Sequence, residues 1–310
     1  MSPATTAVLL LAYGTPERLE DVAPYFTHIR GGRTPSPEAV ARLRQRYERV
    51  GGRTPLLDIT REVGARLEAE LERDGEPVRV YVGMKHWHPF IADTMRRIAG
   101  DGIERVTVLV LAPHYSRLSI GGYRAAVEDA HAALGRPFAI RFIERWGSHP
   151  DFVALIASRI RWALADLAPD ERGQVVTVFS AHSLPERIRS WGDPYEAELL
   201  ESSAAAARAA GIGDWRFAWQ SAGETGEPWL GPDILDYLET LRAEGVRQVL
   251  QVPIGFVSDH LEILYDLDLE ARARAAALGL GYRRTALPNA SPDFVRTLAA
   301  VIRSAAPVAA

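Results

Sequence analysis

No cysteine occurs anywhere in this chain, which excludes disulfides and any iron–sulfur cluster held by thiolates. Lysine is nearly absent as well, because Lys85 is the single lysine and every other basic chain is arginine. Charge of one sign is also missing. With 36 basic and 40 acidic residues the net charge is −4, which argues against a nucleic-acid binder or a broad polybasic membrane surface. No apolar run approaches the roughly 20 residues needed to span a bilayer. Met1 to Ala7 has no Lys or Arg ahead of Val8-Leu9-Leu10-Leu11, so that run reads as a buried strand rather than a secretory signal. These absences predict a soluble, cytoplasmic protein without a membrane span.

What is present is ordinary for a globular enzyme-sized chain: 47% hydrophobic and 25% charged residues over 310 positions. That length suggests two domains of about 150 residues each. Short apolar runs at 7–12, 78–83, 106–112, 139–142, 175–179, 217–220 and 249–254 read as strands. Between them lie Ala/Arg/Glu/Leu-rich amphipathic stretches at 37–50, 58–74, 89–100, 123–134, 150–167, 194–210 and 261–278. Strands alternating with helices predict an α/β fold with parallel sheets and crossover helices; two Rossmann-like domains are expected. A coarse repeat supports two halves. Gly102-Ile103-Glu104-Arg105-Val106 leads into a strand much as Gly245-Val246-Arg247-Gln248-Val249 does, and the strands before Tyr13 and before His182 each deliver a polar ring. Gly147 and Pro150 interrupt the pattern, which places the boundary between domains 1–147 and 148–310. A last helical run, 292–304, is long enough to pack back on either half.

Two segments carry titratable groups at strand ends, where open parallel sheets bind ligands. The run Val175-Val176-Thr177-Val178-Phe179 ends in Ser180-Ala181-His182-Ser183, and Val252-Pro253-Ile254-Gly255 leads to Ser258-Asp259-His260-Leu261-Glu262. Glu262, Asp266 and Glu270 recur at i, i+4 and i+8, one face of a regular helix, where their repulsion must be offset by water, a cation or a catalytic need. Each has a plainer reading. His182 could satisfy a buried carbonyl, Asp259-x-x-Glu262 fits a capping box, and a charged helical stripe is often merely solvated. His86 and His88 flank Trp87, but in an extended segment such a pair points to opposite sides. His28, His114, His131, His149 and His260 read as structural.

Further segments fall into a familiar order: Ala12-Tyr13-Gly14-Thr15-Pro16, Tyr25 to Arg33, Arg46-Tyr47, Gly51-Gly52-Arg53-Thr54-Pro55-Leu56, Gly83-Met84-Lys85-His86-Trp87, Ser119-Ile120-Gly121-Gly122-Tyr123 and Trp229-Leu230-Gly231-Pro232. Together with the two strand-end motifs, they resemble the ferrochelatase family over nearly the whole chain. The resemblance implies a chelatase-like fold with the active site between the halves, and insertion of Fe(II) into a porphyrin with release of two protons, in heme biosynthesis. It assigns the catalytic pair and metal contacts to His182 and Glu262. Tyr13, Arg30, Arg46, Tyr47, Thr54 and Tyr123 fall at porphyrin-binding positions, whereas Asp266, Glu270 and His86 fall on a metal or proton path.

The tetrapyrrole is both substrate and product, so no bound organic cofactor is implied, and iron enters as substrate. Ala-Tyr-Gly-Thr-Pro is similar to the coproporphyrin III type, in which the phenol faces the iron across the ring from the histidine. The protoporphyrin IX type more often has an Asn-Leu-Gly-Gly-Pro-like start. A monomer is expected, with a transient heme-pathway protein as partner. The alternatives are a protoporphyrin IX ferrochelatase or a non-catalytic tetrapyrrole or divalent-metal carrier. Without the resemblance, each arginine reads as ordinary surface charge on an Arg-rich chain.

Overall fold

The computed structural model describes residues 5–73, 77–223 and 225–305. Apolar runs become buried strands, because only a sheet covered on both faces by helices accommodates continuous Val/Ile/Leu. The first sheet is formed by β1 (Thr6–Ala12), β2 (Val78–Met84), β3 (Arg105–Val110) and β4 (Ala139–Ile143), in the order β2-β1-β3-β4. The second is formed by β5 (Val175–His182), β6 (Trp215–Gln220), β7 (Gln248–Val252) and β8 (Gly281–Arg284), in the order β6-β5-β7-β8. All strand pairs are parallel. The two halves therefore repeat one winding, and the strands whose flanking sequences resembled each other occupy equivalent places, β1 with β5 and β3 with β7.

The helices in chain order are α1 (Val22–Ile29), α2 (Pro37–Arg49), α3 (Leu56–Glu72), α4 (Ile91–Gly100), α5 (Ile120–Ala133), α6 (Pro150–Ala163), α7 (Pro169–Arg172), α8 (Tyr195–Ala210), α9 (Ile234–Ala243), α10 (Leu261–Leu264), α11 (Arg272–Ala277) and α12 (Pro292–Ser304). The helix expected over 58–74 starts two residues early, and Asp74 lies outside the described residues. Strand β8 escaped the sequence pattern because it is a four-residue edge strand ending in Arg283 and Arg284. Their guanidiniums pair with Asp166 at 2.7 Å and Asp268 at 2.7 Å, charges that blunt an open edge. The helices α1 and α9 were also missed.

The expected continuous helix over 261–278 is a correction. Residues Asp266–Ala271 form a π-helical turn between α10 and α11, in which the Glu270 amide reaches back to the Tyr265 carbonyl at 2.9 Å. Widening the turn alters the angular step that put Glu262, Asp266 and Glu270 on one regular face, and such turns concentrate at functional sites.

Helix α12 packs against both α3 and α6. Its Phe294 and Leu298, both fully buried, join one apolar cluster with Leu67 of α3, Phe152 of α6, Leu10 of β1 and Phe179 of β5, so the two sheets share a core. The Arg66 guanidinium donates to the Ala290 carbonyl at 2.6 Å, and Arg159 pairs with Asp293 at 2.9 Å. Replacing Leu298 by Ala should cost about 2–5 kcal/mol, the usual range for a buried Leu truncation. Chemical denaturation would register this as a lower midpoint at unchanged slope; a separate early transition of one half would show that α12 does not tie the halves into one cooperative unit.

Candidate active site

A cleft with a cavity volume of about 280 Å³, open to solvent, lies where the carboxyl ends of both sheets converge. His182 closes β5, and its neighbours explain the whole Ser180-Ala181-His182-Ser183 motif. The Ser180 hydroxyl donates to Gln220 Oε1 at 2.8 Å and accepts from Gln251 Nε2 at 2.6 Å, while Gln220 Nε2 donates to the Glu262 carbonyl at 3.0 Å. This buried relay ties β5, β6 and β7 to the backbone of Glu262. Ala181 lies against Gly255, where an added Cβ would sit 2.6 Å from the Ala181 Cβ, so only glycine fits. Ser183 Oγ donates to the Leu230 carbonyl at 2.7 Å, fastening the Trp229 segment, whose indole lies 6.3 Å from the His182 ring.

His182 Nδ1–H donates to the Ser183 carbonyl, which turns Nε2 toward Glu262 Oε1 at 3.4 Å. Glu262 Oε2 in turn lies 3.5 Å from His260 Nε2, and His260 Nδ1–H donates to the Ser258 carbonyl at 2.9 Å. The carboxylate is therefore held between two imidazoles. The side chains of His182 and Glu262 are 31% and 29% exposed, enough for a ligand in the cleft to reach them. Burial disfavours the imidazolium, but the Glu262 carboxylate outweighs it and pushes His182 up to about 9. Burial likewise disfavours ionised Glu262, yet His182 and His260 hold its carboxyl well below the usual range. The unliganded pair is an imidazolium facing a carboxylate.

The capping alternative for Glu262 does not fit this geometry. His260 is the residue at the helix start, no side chain caps it, and Glu262 points to the histidines. Asp259 is occupied elsewhere: its amide donates to Asn289 Oδ1 at 2.8 Å, and its carboxylate accepts from Asn289 Nδ2 at 2.7 Å.

Tyr13, 42% exposed, and Tyr123 line the same cleft as His182 and Glu262. Tyr13 packs against His86 with ring centres 4.5 Å apart and planes tilted by 51°, and its loop is zipped to the segment after β2 by the amides of Lys85 and His86, which donate to the Ala12 and Tyr13 carbonyls at 3.0 and 2.9 Å. Gly14, at φ +100°, is obligatory there, since a Cβ would meet the Trp87 amide at 2.9 Å. His86 also reaches His28, Nδ1 to Nδ1, at 3.1 Å, and burial pushes it down to about 3.

The remaining expected residues lie off the cleft lining. Arg46 pairs with the buried Asp266, whose other oxygen accepts from Ser221 Oγ. Burial raises Asp266 to about 6 against the pull of Arg46. Burial opposes charge on Arg46 too, but Asp266, then Glu262 and Glu270, raise it. The guanidinium is thus the counter-charge of the carboxylate row. Tyr47 and Thr54 are buried around Thr15, with Thr54 Oγ1 2.8 Å and the Tyr47 hydroxyl 3.3 Å from Thr15 Oγ1. Arg30 lies over the Phe26 ring at 5.8 Å.

Sequence reasoning overlooked two groups. His260 was set aside although His-x-Glu at the opening of a helix is itself a signal. Lys85 lines the cleft with its ammonium 4.8 Å from the Tyr123 ring centre, lowered by burial, in space that Gly122 leaves free. Among the described residues no three His, Asp or Glu side chains are placed to hold a metal ion in a closed set.

Two parallel sheets with a histidine–carboxylate pair at their facing edges define a chelatase-type protein. Solved structures with this fold include SirB from Bacillus subtilis with Fe3+, with a TM-score of 0.59 at 11% identity over 96% of this chain and 94% of that one. CbiX, the terminal enzyme for siroheme biosynthesis in denitrifying bacteria, matches with a TM-score of 0.55 at 15% identity over 97% and 100%. The ferrochelatase family model matches residues 5–306. A ferrochelatase of Herpetosiphon aurantiacus is 51% identical over 96% of this chain and 98% of its own length. Coproporphyrin III ferrochelatases of Anoxybacillus flavithermus and Bacillus subtilis are 43% and 40% identical over 97% of this chain, and over 96% and 98% of theirs. The chain belongs to the ferrochelatase family.

In NMR titrations His182 should lose its proton near pH 9. In Glu262→Gln the largest influence opposing burial is removed, leaving only the Ser183 carbonyl and Asp266 to favour the imidazolium, so the value should fall well below 9. Because the folded His182 value exceeds the unfolded one, its contribution is complete below pH 6.5 and lost as pH rises through about 9, whereas the contribution of Glu262, whose carboxyl is held low, is lost as pH falls below the ordinary carboxylate range. An unchanged His182 titration in the variant would dissolve the ion pair as described.

Proposed function

We propose that this protein inserts ferrous iron into coproporphyrin III, releasing two protons, as a cytoplasmic enzyme of heme biosynthesis. The observation that carries the reading is the His182–Glu262 pair sharing one cleft with Tyr13, in a chain about 40% identical, end to end, to coproporphyrin III ferrochelatases. Residues 1–147 and 148–310 serve as the two lobes. The enzyme acts as a monomer, meets a heme-pathway protein transiently, and uses neither a bound organic cofactor nor an iron–sulfur cluster.

Metallation replaces two pyrrole protons by a dication. Tyr13, Tyr123 and the apolar cleft wall take the ring's faces, and the ring lies within reach of His182. At neutral pH His182 starts protonated, so its proton must leave before it can act as a base. An iron dication arriving at Glu262 replaces that proton as the carboxylate's counter-charge. The proton passes along the Asp266–Glu270 row, where Asp266, near 6, exchanges protons readily. Neutral His182 then accepts one pyrrole proton, releases it along the same row, and accepts the second, so that both protons leave as the dication enters. Tyr13 offers its oxygen to the metal from the other face, with His86 behind it.

Arg30 and Lys85, which pair with no acid among the described residues, serve the macrocycle's carboxylates. Arg46 steadies the carboxylate row, and Tyr47 and Thr54 hold the Tyr13 loop from behind through Thr15. A mere carrier would gain nothing from a charge-coupled proton acceptor in the cleft.

Initial rates of Fe(II) insertion should be higher with coproporphyrin III than with protoporphyrin IX; the reverse preference overturns the substrate while leaving iron chelation standing. His182→Ala should lower the rate roughly 10²–10⁴-fold with porphyrin binding retained. Near-wild-type turnover would remove His182 from the mechanism. Tyr13→Phe deletes one oxygen at constant ring volume, so the absorption spectrum of the bound product should change while the fold does not.

A further inference from the structure

The segment 111–119 after β3 has no regular structure, yet Leu111, His114, Leu118 and Ser119 form one wall of the cleft. A wall without its own ladder of hydrogen bonds must be held from elsewhere. Its first residues are held within their own half, the Leu111 amide donating to the Leu11 carbonyl at 2.8 Å and the Pro113 carbonyl accepting from the Trp146 and Gly147 amides at 2.9 Å, while residues 114–117 are also held from the other half, by α8 and the turn before it. Glu198 Oε2 accepts from the Tyr115 amide at 2.8 Å, and Ser202 Oγ lies 2.7 Å from His114 Nε2. Asp193 Oδ2 accepts from the Arg117 amide at 2.8 Å and from Ser116 Oγ at 3.1 Å. Ser116 Oγ in turn accepts from the Leu118 amide at 3.2 Å, so the wall residue is tied to the carboxylate through one hydroxyl.

The same carboxylate faces the reacting residue through its second oxygen. Asp193 Oδ1 accepts from the Tyr195 amide at 3.1 Å, and the buried Tyr195 donates its hydroxyl to the His182 carbonyl at 3.1 Å. Tyr195 also lines the cleft. An unbroken line thus runs from the Leu118 amide through Ser116, Asp193 and Tyr195 to the backbone of His182, crossing from one half of the molecule to the other. A carboxylate suits its midpoint, because ionised oxygens accept from several donors at once and hold them more firmly than a neutral acceptor.

We propose that Asp193 and Tyr195 are positioning residues for metal insertion, setting the distance between the 116–119 wall against which the macrocycle rests and the His182 imidazole that works on it. The proposal rests on the protein's activity as a ferrochelatase and not on which porphyrin it prefers. A ring seated against Leu118 then meets the imidazole at one fixed offset, and a displacement of the wall is felt at His182. Misplacement by an ångström is enough to cost large factors in rate.

The test is a cycle of Ser116→Ala, Asp193→Asn, Tyr195→Phe and the Ser116→Ala/Tyr195→Phe double variant, with kcat and KM read separately on whichever porphyrin the wild type turns over. Tyr195→Phe, which frees only the His182 carbonyl, should lower kcat about tenfold with KM little changed. Ser116→Ala and Asp193→Asn should raise KM several-fold and also lower kcat, although neither touches the reacting atoms. In the Tyr195→Phe background Ser116→Ala should change KM alone, because the line is already cut. Thermal midpoints separate folding losses from these effects. Independent, multiplying losses in kcat overturn the proposal, as does a Ser116→Ala or Asp193→Asn variant with kcat intact. A wild type with no iron insertion into any porphyrin would instead be the failure of the function on which the proposal rests.

Discussion

One charge pair sets the terms for everything around it. His182 and Glu262 face each other at 3.4 Å in a setting that disfavours either charge alone, so each is ionised because the other is. Such a pair is costly to assemble and worse to break, since removing one partner strands the other. The surroundings show how the geometry is held: the Gln251–Ser180–Gln220 relay grips the Glu262 backbone, Gly255 lets the following turn lie flat on Ala181, and the Ser183 carbonyl fixes which nitrogen His182 presents. His260 provides a second imidazole partner, its Nε2 3.5 Å from Glu262 Oε2, so Glu262 keeps a neighbour when His182 changes state.

The cleft is chemically two-sided. The β5 and β7 ends bring imidazoles and carboxylates, continued outward by Asp266 and Arg46. The β1 and β2 ends bring a phenol, aromatic rings and the chain's single lysine, whose ammonium lies over Tyr123. A flat ligand between these walls meets acid–base chemistry on one face and ring contacts on the other. This division suits a reaction in which protons leave and a cation arrives without the two competing for the same groups.

The sequence revealed most of the scaffold because buried parallel strands are continuous apolar runs, and those at 7–12 and 175–179 needed no context to be seen. It pointed to His182 and Glu262 through motif order, and the fold brings the two side chains to 3.4 Å. What it hid depended on packing across the chain. Edge strand β8 is defined by its partner β7 and by the acids that meet Arg283 and Arg284. The π turn at Asp266–Ala271 leaves no periodic mark, since one widened turn looks like a regular helix in residue spacing. Arg46, which the resemblance puts at a porphyrin-binding position and which otherwise reads as ordinary surface charge, has a partner, Asp266, that lies 220 positions away and leaves no local mark. Tyr47 and Thr54, which the resemblance puts at porphyrin-binding positions, are buried around Thr15, a grouping that no spacing in the sequence marks.

The repeated winding explains why the site lies between the halves. In each sheet the chain leaves the central strand toward one edge and returns on the other side, so a crevice opens beyond the carboxyl ends of β1 and β3, and again beyond β5 and β7. Either crevice alone would be a shallow groove. With α12 packed on α3 and α6 and one core running through both sheets, the two crevices are set against each other, and the residues that follow all four strands line a single cleft. Equivalent strands then carry unlike groups: Tyr13 follows β1, and His182 ends β5. A repeat that keeps its backbone and varies its strand-end side chains turns two copies of one binding crevice into two different faces of one reaction chamber, and the fixed distance between the copies becomes part of the chemistry.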